Sequence, residues 1–253
     1  MEKKSFNLLI KEAQKGDPNS QFLLGQAYYK GVDIKQDFNR AFYWFSKASE
    51  ECSEANYYLA LCYKNGTGVK KDIKKAIEYF EIAAEGDNLM AQYNIATIYY
   101  VGDTVKQDYK KAFKYYEKAA KAGLVQAQYN LAICYAEGQG TTKQLEKAFY
   151  YYQETCKQKF PMGQYSLGRC YEFGLGIGQF DEMAFFWYQR SAEQNYPDAI
   201  YSLASCYERG YGVKKDENKA GFYYKKAADL NHEQAKIKLT EFKKKLGKYH
   251  KIK

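Results

Sequence analysis

Cysteine and histidine, which act as nucleophiles, bases and metal ligands, are few and far apart in this sequence. Its 253 residues include six Cys and two His, and they contain no Cys-x-x-Cys pair. A zinc site needs thiolates or imidazoles clustered around one point, and a catalytic thiol needs a neighbouring base or cation to ionise. The sequence shows neither arrangement, so we predict no metal, no cofactor and no enzymatic activity.

Glycine-rich segments are the other candidates for chemistry, because loops of this kind can hold phosphate groups. Gly66-Thr-Gly68 and Gly174-Leu-Gly176 are examples. Each follows a predicted helix rather than a strand, and none leads into the Gly-Lys-Ser/Thr sequence of a phosphate-binding loop. The Gly-x-Ser-x-Gly and His-Glu-x-x-His signatures of hydrolases are absent as well. We therefore interpret these glycines as helix caps.

The elements that position all these residues follow from an internal repeat. A phrase close to Ala-Gln-Tyr-Asn-Leu-Ala recurs every 36 residues, with one interval of 35. In each copy, apolar residues three and four apart predict a first helix, a glycine ends it, and an Asp such as Asp72 predicts the start of a second helix. The phrase begins at Ser20, Ala55, Ala91, Ala127, Gly163 and Ala199, and a last fragment begins at Ala235.

Small and large residues at fixed positions predict how the two helices of a repeat pack. An Ala follows the Asp by four residues, as at Ala76, and an aromatic residue follows that Ala by three. Four cysteines also share one position, directly before a Tyr, which predicts buried and reduced thiols. The aromatic residues are Trp44, Tyr79, Tyr115, Tyr151, Trp187 and Tyr223, and the cysteines are Cys62, Cys134, Cys170 and Cys206.

Three copies depart from the pattern. The usual Gly-x-Gly becomes Gly31-Val-Asp33 in the first repeat and Gly102-Asp-Thr104 in the third. A β-branched Thr disfavours the left-handed backbone that glycine adopts, so we expect the third loop to have a different shape. In the fourth repeat Thr155-Cys156 replaces the usual small pair and Gln144 replaces the Asp cap. These changes predict that the fourth repeat is the least stable of the six.

The full pattern resembles the Sel-1-like repeat family, whose members are related to tetratricopeptide repeats. The resemblance rests on Ala-Gln-Tyr-Asn-Leu-Ala-x-x-Tyr, followed by Gly-x-Gly-Val, Asp, Ala, Trp or Tyr, and Ala-Ala, and it covers roughly residues 5–240. It implies an all-α, right-handed α-solenoid of about six helix-turn-helix repeats with capping helices, acting as a non-enzymatic adaptor. We predict a capping helix in residues 1–19, repeats over 20–54, 55–90, 91–126, 127–162, 163–198 and 199–234, and a closing helix with a basic tail over 235–253.

In solenoids of this family the first helix of each repeat lines the concave face, which implies a candidate binding surface. Two interpretations of this surface stay open. Its aromatic rings and amides bind an extended peptide, since an Asn side chain can bond a peptide backbone, or they pack between repeats and hold neighbouring backbone. The implied row is Phe22, Tyr57, Tyr93, Tyr129, Tyr165 and Tyr201, followed one position later by Leu23, Tyr58, Asn94, Asn130, Ser166 and Ser202.

Charge along the same helices suggests an orientation for such a ligand. Lys30 and Lys64 lie in the first two repeats, whereas Glu137, Glu172 and Glu208 lie in the last three. We therefore expect the acidic part of a bound peptide to lie towards repeats one and two.

The net charge of +9 is concentrated at one end of the chain. Residues 236–253 hold eight Lys and one Glu, which contribute +7 and leave +2 for the rest. The near-neutral body argues against an RNA-binding helical-repeat protein, which is the main alternative because pentatricopeptide arrays have a similar period. A secreted bacterial effector or virulence factor on the same scaffold is a further alternative. The basic tail is either a solvated helix end or a contact for an acidic partner, a membrane surface or the nuclear-import machinery.

Partner and location follow from what the sequence lacks. No run approaches the ~18 apolar residues of a membrane span, and the first residues contain no apolar signal core. The cysteine-rich secreted branch of the family carries a Cys pair in every repeat, which this chain does not. We expect a cytoplasmic protein that binds a protein or peptide and takes no small-molecule substrate.

Overall fold

The computed structural model is helical throughout the residues that it describes, which are 3–31 and 34–250. Asp33 of the first loop, together with Lys251 and Lys253 of the basic tail, lies outside them. The helices are α1 (Lys3–Gln14), α2 (Pro18–Lys30), α3 (Phe38–Ala48), α4 (Ser53–Asn65), α5 (Ile73–Glu85), α6 (Leu89–Val101), α7 (Tyr109–Lys121), α8 (Val125–Glu137), α9 (Leu145–Lys157), α10 (Pro161–Phe173), α11 (Asp181–Glu193), α12 (Pro197–Arg209), α13 (Glu217–Asp229) and α14 (Glu233–His250).

The chain divides into two compact units, Met1–Leu124 and Val125–Lys253. In unit 1 the hairpins are α2 with α3, α4 with α5, and α6 with α7, and α1 packs on α2. In unit 2 they are α8 with α9, α10 with α11, and α12 with α13, and α14 packs on α13. Within each unit the second helix of one hairpin also contacts the first helix of the next. Each unit is therefore a stack of helical hairpins.

Caps explain where the helices of a hairpin begin and end. The first helix of the second repeat ends at Gly66, which has a left-handed backbone (φ 76°) and donates its N–H to the Cys62 carbonyl at 2.8 Å. The next helix begins after Asp72, whose carboxylate accepts from the Lys75 N–H at 3.1 Å. Most L residues adopt a left-handed backbone only at a cost of about 1–2 kcal/mol, which explains the glycine.

The loop of the third repeat has the different shape expected from its sequence. In the second repeat Gly68 is left-handed (φ 72°), and a Cβ there would overlap the Phe38 carbonyl. Thr104 occupies the equivalent position in the third repeat and is not left-handed. A β-branched residue avoids that conformation, so the backbone takes another path.

The core of each repeat is aromatic, but the sequence prediction placed the central ring one residue too early. The most buried ring of each repeat follows the Ala by four residues, whereas the predicted aromatics, such as Tyr79 and Trp187, are only half-buried. At 3.6 residues per turn the residue at i+4 lies closest to the face of residue i. The central rings are Phe45, Phe80, Tyr116, Tyr152, Tyr188 and Tyr224.

In the fourth repeat the structure shows how the unusual Thr155 is accommodated. Its side chain is completely buried, and its hydroxyl donates to the Tyr152 carbonyl at 2.7 Å. A Cβ on Gly163 would overlap this side chain. The glycine that begins the fifth copy of the phrase thus leaves room for the larger Thr. Gln144, by contrast, makes no side-chain cap bond to α9.

Candidate functional site

The predicted Tyr row lies on the first helices of both units, and each ring is supported from behind. The six rings are all half-buried. Each packs against the central buried ring of its own repeat, at centroid distances from 5.6 Å for Tyr201 and Tyr224 to 6.1 Å for Phe22 and Phe45. We call the exposed side of the first helices that carries this row the first-helix face.

The polar row beside the tyrosines links neighbouring repeats. The hydroxyl groups of Tyr57, Tyr129 and Tyr165 have Asn94, Ser166 and Ser202 of the next repeat beside them. Burial raises the pKa of these three phenols more than the neighbouring polar side chains lower it, so they stay protonated at neutral pH. The two interpretations offered by the sequence therefore overlap, because the same side chains pack within the fold and keep part of their surface exposed.

In unit 1 the face contains an aromatic cluster. Tyr58 stacks on Phe45 at 4.9 Å and also contacts Phe22 and Tyr29 at 5.7 and 5.5 Å. Its hydroxyl accepts from the Gln26 amide at 3.1 Å. These contacts hold Tyr58 in place and leave its ring half-buried.

The two predicted basic residues of unit 1 differ in environment. Lys30 is exposed, whereas Lys64 is half-buried and donates to the Asn94 side-chain oxygen at 3.3 Å. The Asn94 amide in turn donates to the Met90 carbonyl at 2.8 Å. Lys30 is consequently free to meet a ligand, and Lys64 would have to leave Asn94 to do so. Asn130, in unit 2, is half-buried.

In unit 2 the face contains a cavity of about 350 Å³ between α10 and α12. Aromatic, basic and hydroxyl side chains meet there, a combination that suits a peptide with both apolar and charged groups. Glu172 also reaches this wall, and its carboxylate accepts a hydrogen bond from the Tyr188 hydroxyl. The main lining residues are Tyr165, Tyr201, Phe173, Arg169, Arg209 and Ser202.

A row of buried amides was missed by the sequence reasoning. Gln92, which is 2% exposed, donates to the Ala84 carbonyl at 3.2 Å, and Asn56 donates to the Ser49 carbonyl at 2.7 Å. Gln164 accepts from Gln194 at 2.8 Å. The signal was available, because an amide recurs between the Ala and the Tyr of most copies of the phrase. These amides form hydrogen bonds with the ends of second helices and are too buried to contact a ligand.

The thiols have no feature that would activate them. All six cysteines are free and buried. Burial raises the pKa of Cys62, Cys134, Cys156, Cys170 and Cys206 to about 12, which keeps each thiol protonated at neutral pH.

The residues that the structure describes lack two further kinds of functional feature. They contain no group of three or more His, Cys, Asp or Glu side chains placed to hold a metal ion. None of their helices combines the length and apolar character needed to cross a membrane.

Comparison with known proteins places the repeats in a family. The Sel1 repeat model matches residues 18–51, 53–88, 89–124, 125–160, 161–196 and 197–232. A protective antigen present in uropathogenic Escherichia coli strains, displaying an SLR fold, is 29% identical with a TM-score of 0.88. That alignment covers 92% of this chain and 50% of the antigen chain, so this chain spans half the antigen's length.

Two other solved structures have the same fold. A Sel1 repeat protein from Oxalobacter formigenes is 29% identical with a TM-score of 0.75, over 90% of this chain and 99% of that one. An immunity protein from Pseudomonas aeruginosa is 20% identical with a TM-score of 0.52, over 83% of this chain and 82% of that one. No curated protein matches the chain. The fold is thus an α-solenoid of helix-turn-helix repeats.

Proposed function

Because the chain belongs to the Sel1 repeat family, whose fold is generally a non-catalytic scaffold for protein interactions, we propose that its first-helix face binds an extended peptide segment of a partner protein. The half-buried tyrosines are the anchors in this proposal, and the polar row beside them bonds the peptide backbone. The six repeats carry the binding residues, while α1 and α14 act as caps.

The observation that carries this proposal is the way in which each anchor is held. A ring that is already packed on one side loses little conformational entropy when a ligand covers its other side. Tyr165 and Tyr201 have this arrangement, and both line the cavity of unit 2. Tyrosine is also enriched among the residues that dominate binding energy in protein interfaces. Contacts of this kind in several repeats would give roughly micromolar affinity, or about −8 kcal/mol.

The unit 1 residues extend the same proposal. Tyr57, Tyr58, Tyr93 and Asn94 supply aromatic and amide surface there, and Lys30 supplies an exposed positive charge. Reversing Lys30 and Lys64 to Glu should weaken binding if an acidic part of the peptide lies along unit 1. Unchanged affinity would remove that orientation.

The proposal is tested by selecting binders and then blocking the face. Peptides from a random phage-display library would be selected on the full chain and measured by fluorescence anisotropy. We expect Ser202→Trp to abolish binding of the selected peptides, because the larger side chain would fill the cavity that Ser202 lines. Asn94→Trp should have the same effect on peptides that bind unit 1. Gln189→Trp is the matched control, because Gln189 is exposed on the second helix α11.

Two results would contradict peptide binding at this face. One is a selection that enriches no peptide, and the other is equal binding by the wild-type chain and both blocking variants. Circular dichroism would establish that all variants fold. An RNA affinity that falls steeply with salt, as phosphate contacts require, would favour the RNA-binding alternative.

A further inference from the structure

The two arginines of the unit 2 cavity carry positive charge that no ion pair neutralises among the described residues. Arg169 lies on α10 and Arg209 ends α12, and both side chains are exposed. Neither guanidinium forms an ion pair within the part of the chain that the structure describes. An unpaired guanidinium on a cavity wall is suited to an anionic group of a ligand, since its planar N–H groups match a carboxylate.

The carboxylates of the same repeats are already engaged. Glu172 accepts from the Tyr188 hydroxyl. Glu208 accepts from the Tyr224 hydroxyl at 2.6 Å, and the Lys238 ammonium lies 3.9 Å away. Two of the three glutamates that the sequence marked in the last repeats, Glu172 and Glu208, are therefore hydrogen-bonded within the unit. Among the charged side chains that line the cavity, two are cationic and one, Glu172, is anionic.

Aromatic rings position the two arginines but do not neutralise their positive charge. The Arg169 guanidinium lies 5.7 Å from the Phe173 ring centre, and that of Arg209 lies 5.9 Å from the Tyr211 ring centre. Both rings also line the cavity. A cation over a ring keeps its N–H edges available for an acceptor. The guanidiniums are thus held near the cavity, and no carboxylate among the described residues pairs with them.

We propose that the unit 2 cavity recognises Asp or Glu side chains of a bound peptide, with Arg169 and Arg209 as the carboxylate-binding residues. Tyr165 and Tyr201 flank the same cavity and cover the peptide on either side of its acidic residues. This inference rests on the proposed peptide-binding function and adds the chemistry of the partner: an acidic segment with few basic residues. It also assigns acid recognition to the fifth and sixth repeats, where residue charges alone indicated the opposite preference.

The test uses the peptides selected on the full chain. We expect the selected sequences to be enriched in Asp and Glu relative to the starting library. The double variant Arg169→Gln/Arg209→Gln should bind them about ten- to a hundredfold more weakly, because charge-assisted hydrogen bonds are lost. Replacing their acidic residues with Asn or Gln should weaken binding to the wild-type chain by a similar factor.

A matched control separates a local effect from a change in net charge. Arg190 also lies in unit 2, on the second helix α11, where it faces the Phe186 ring and pairs with Glu193. Arg190→Gln removes a positive charge without touching the cavity and should leave affinity unchanged. Circular dichroism would show that both variants fold.

The outcomes also separate this inference from the function on which it rests. Peptides that lose binding to Ser202→Trp but bind the double arginine variant as tightly as the wild type would overturn acid recognition and leave peptide binding intact. Selected peptides without acidic enrichment would overturn it as well. Peptides indifferent to Ser202→Trp would overturn acid recognition in this cavity, and peptides indifferent to Asn94→Trp as well would overturn both proposals.

Discussion

The two units build the same hairpins but begin their first helices in different ways. In unit 1, α2 and α6 follow Asp17 and Asn88, whose side chains accept from the backbone N–H groups of Ser20 and Ala91 at 2.7 and 2.9 Å. In unit 2, α10 and α12 follow an aromatic residue and start with proline, and no side-chain cap bond is made. Proline also begins α2, and α4 follows Cys52 without a side-chain cap bond. The contrast therefore lies between the cap hydrogen bonds of α2 and α6 and the aromatic packing before α10 and α12.

In unit 2 these aromatic residues also join one repeat to the next. Phe160 packs on Tyr129 at 5.5 Å, and Tyr196 packs on Tyr165 at 5.4 Å. His232 occupies the same position after the last repeat. It stacks on Tyr201 at 4.7 Å and accepts a hydrogen bond from the Ala235 N–H at 3.1 Å. The Tyr row of unit 2 is thus buttressed by the following repeat, which favours the pre-formed cavity found there.

The central rings differ between the units as well. In unit 1, Phe45 and Phe80 carry no polar group, and the Tyr116 hydroxyl lies 3.1 Å from the Thr97 hydroxyl. In unit 2, by contrast, Tyr188 and Tyr224 donate to Glu172 and Glu208. In unit 2 the core therefore hydrogen-bonds two glutamates of the first helices, which leaves Arg169 and Arg209 as the unpaired charges among the described residues of the cavity wall.

Truncating a central ring should have the largest effect. Tyr188→Ala is expected to lower the free energy of unfolding by about 3–5 kcal/mol, because it removes a buried aromatic side chain. Tyr188→Phe keeps the ring and loses only the bond to Glu172, at about 1 kcal/mol. Urea denaturation, monitored by circular dichroism, measures the free energy of unfolding of both variants. A loss for Tyr188→Phe as large as that for Tyr188→Ala would mean that the hydroxyl, not the ring, dominates.

The Thr155 and Gly163 pair should show an intermediate effect that one further substitution reverses. Gly163→Ala is expected to destabilise the fold by about 1–3 kcal/mol, since its methyl group would overlap Thr155. Thr155→Ala/Gly163→Ala should recover most of this loss, because Ala83 and Ala91 occupy the corresponding positions in a core cluster of unit 1. A double-mutant cycle from urea denaturation measures the coupling. Additive effects would show that the two side chains do not compensate for each other.

The smallest effects concern the helix starts. Asn88→Ala should lower the free energy of unfolding by about 1 kcal/mol, because the cap hydrogen bond to α6 is lost. Phe160→Asn supplies such a cap in unit 2, yet we expect a net loss, because the contact between Phe160 and Tyr129 disappears. The melting temperatures of the two variants and of the wild type, measured by thermal unfolding, test both expectations. A gain in stability for Phe160→Asn would show that hydrogen bonding is the better solution in both units.

Much of the fold could be predicted without coordinates. The 36-residue period, the terminal glycines and the Asp caps are local signals, since each depends on backbone conformation within a few residues. They predict every hairpin, the family and the position of the Tyr row. The candidate site could be predicted only as two alternatives, because a Tyr that repeats at one position is equally compatible with packing and with binding.

Pairs of residues distant in sequence required the tertiary structure. The sequence marked the fourth repeat as weak from Thr155, but the space for this side chain comes from Gly163 in the next repeat. It also counted Glu172 and Glu208 as free charges, although buried tyrosines hold both.

The sequence by itself therefore determined the period, the helices and the family of this protein, because these follow from local backbone preferences repeated six times. Only the tertiary structure decided which ring fills each core, which carboxylates are satisfied and which arginines remain available. Those properties depend on what faces each side chain across a helix interface, and a repeat pattern does not encode distances between neighbouring repeats.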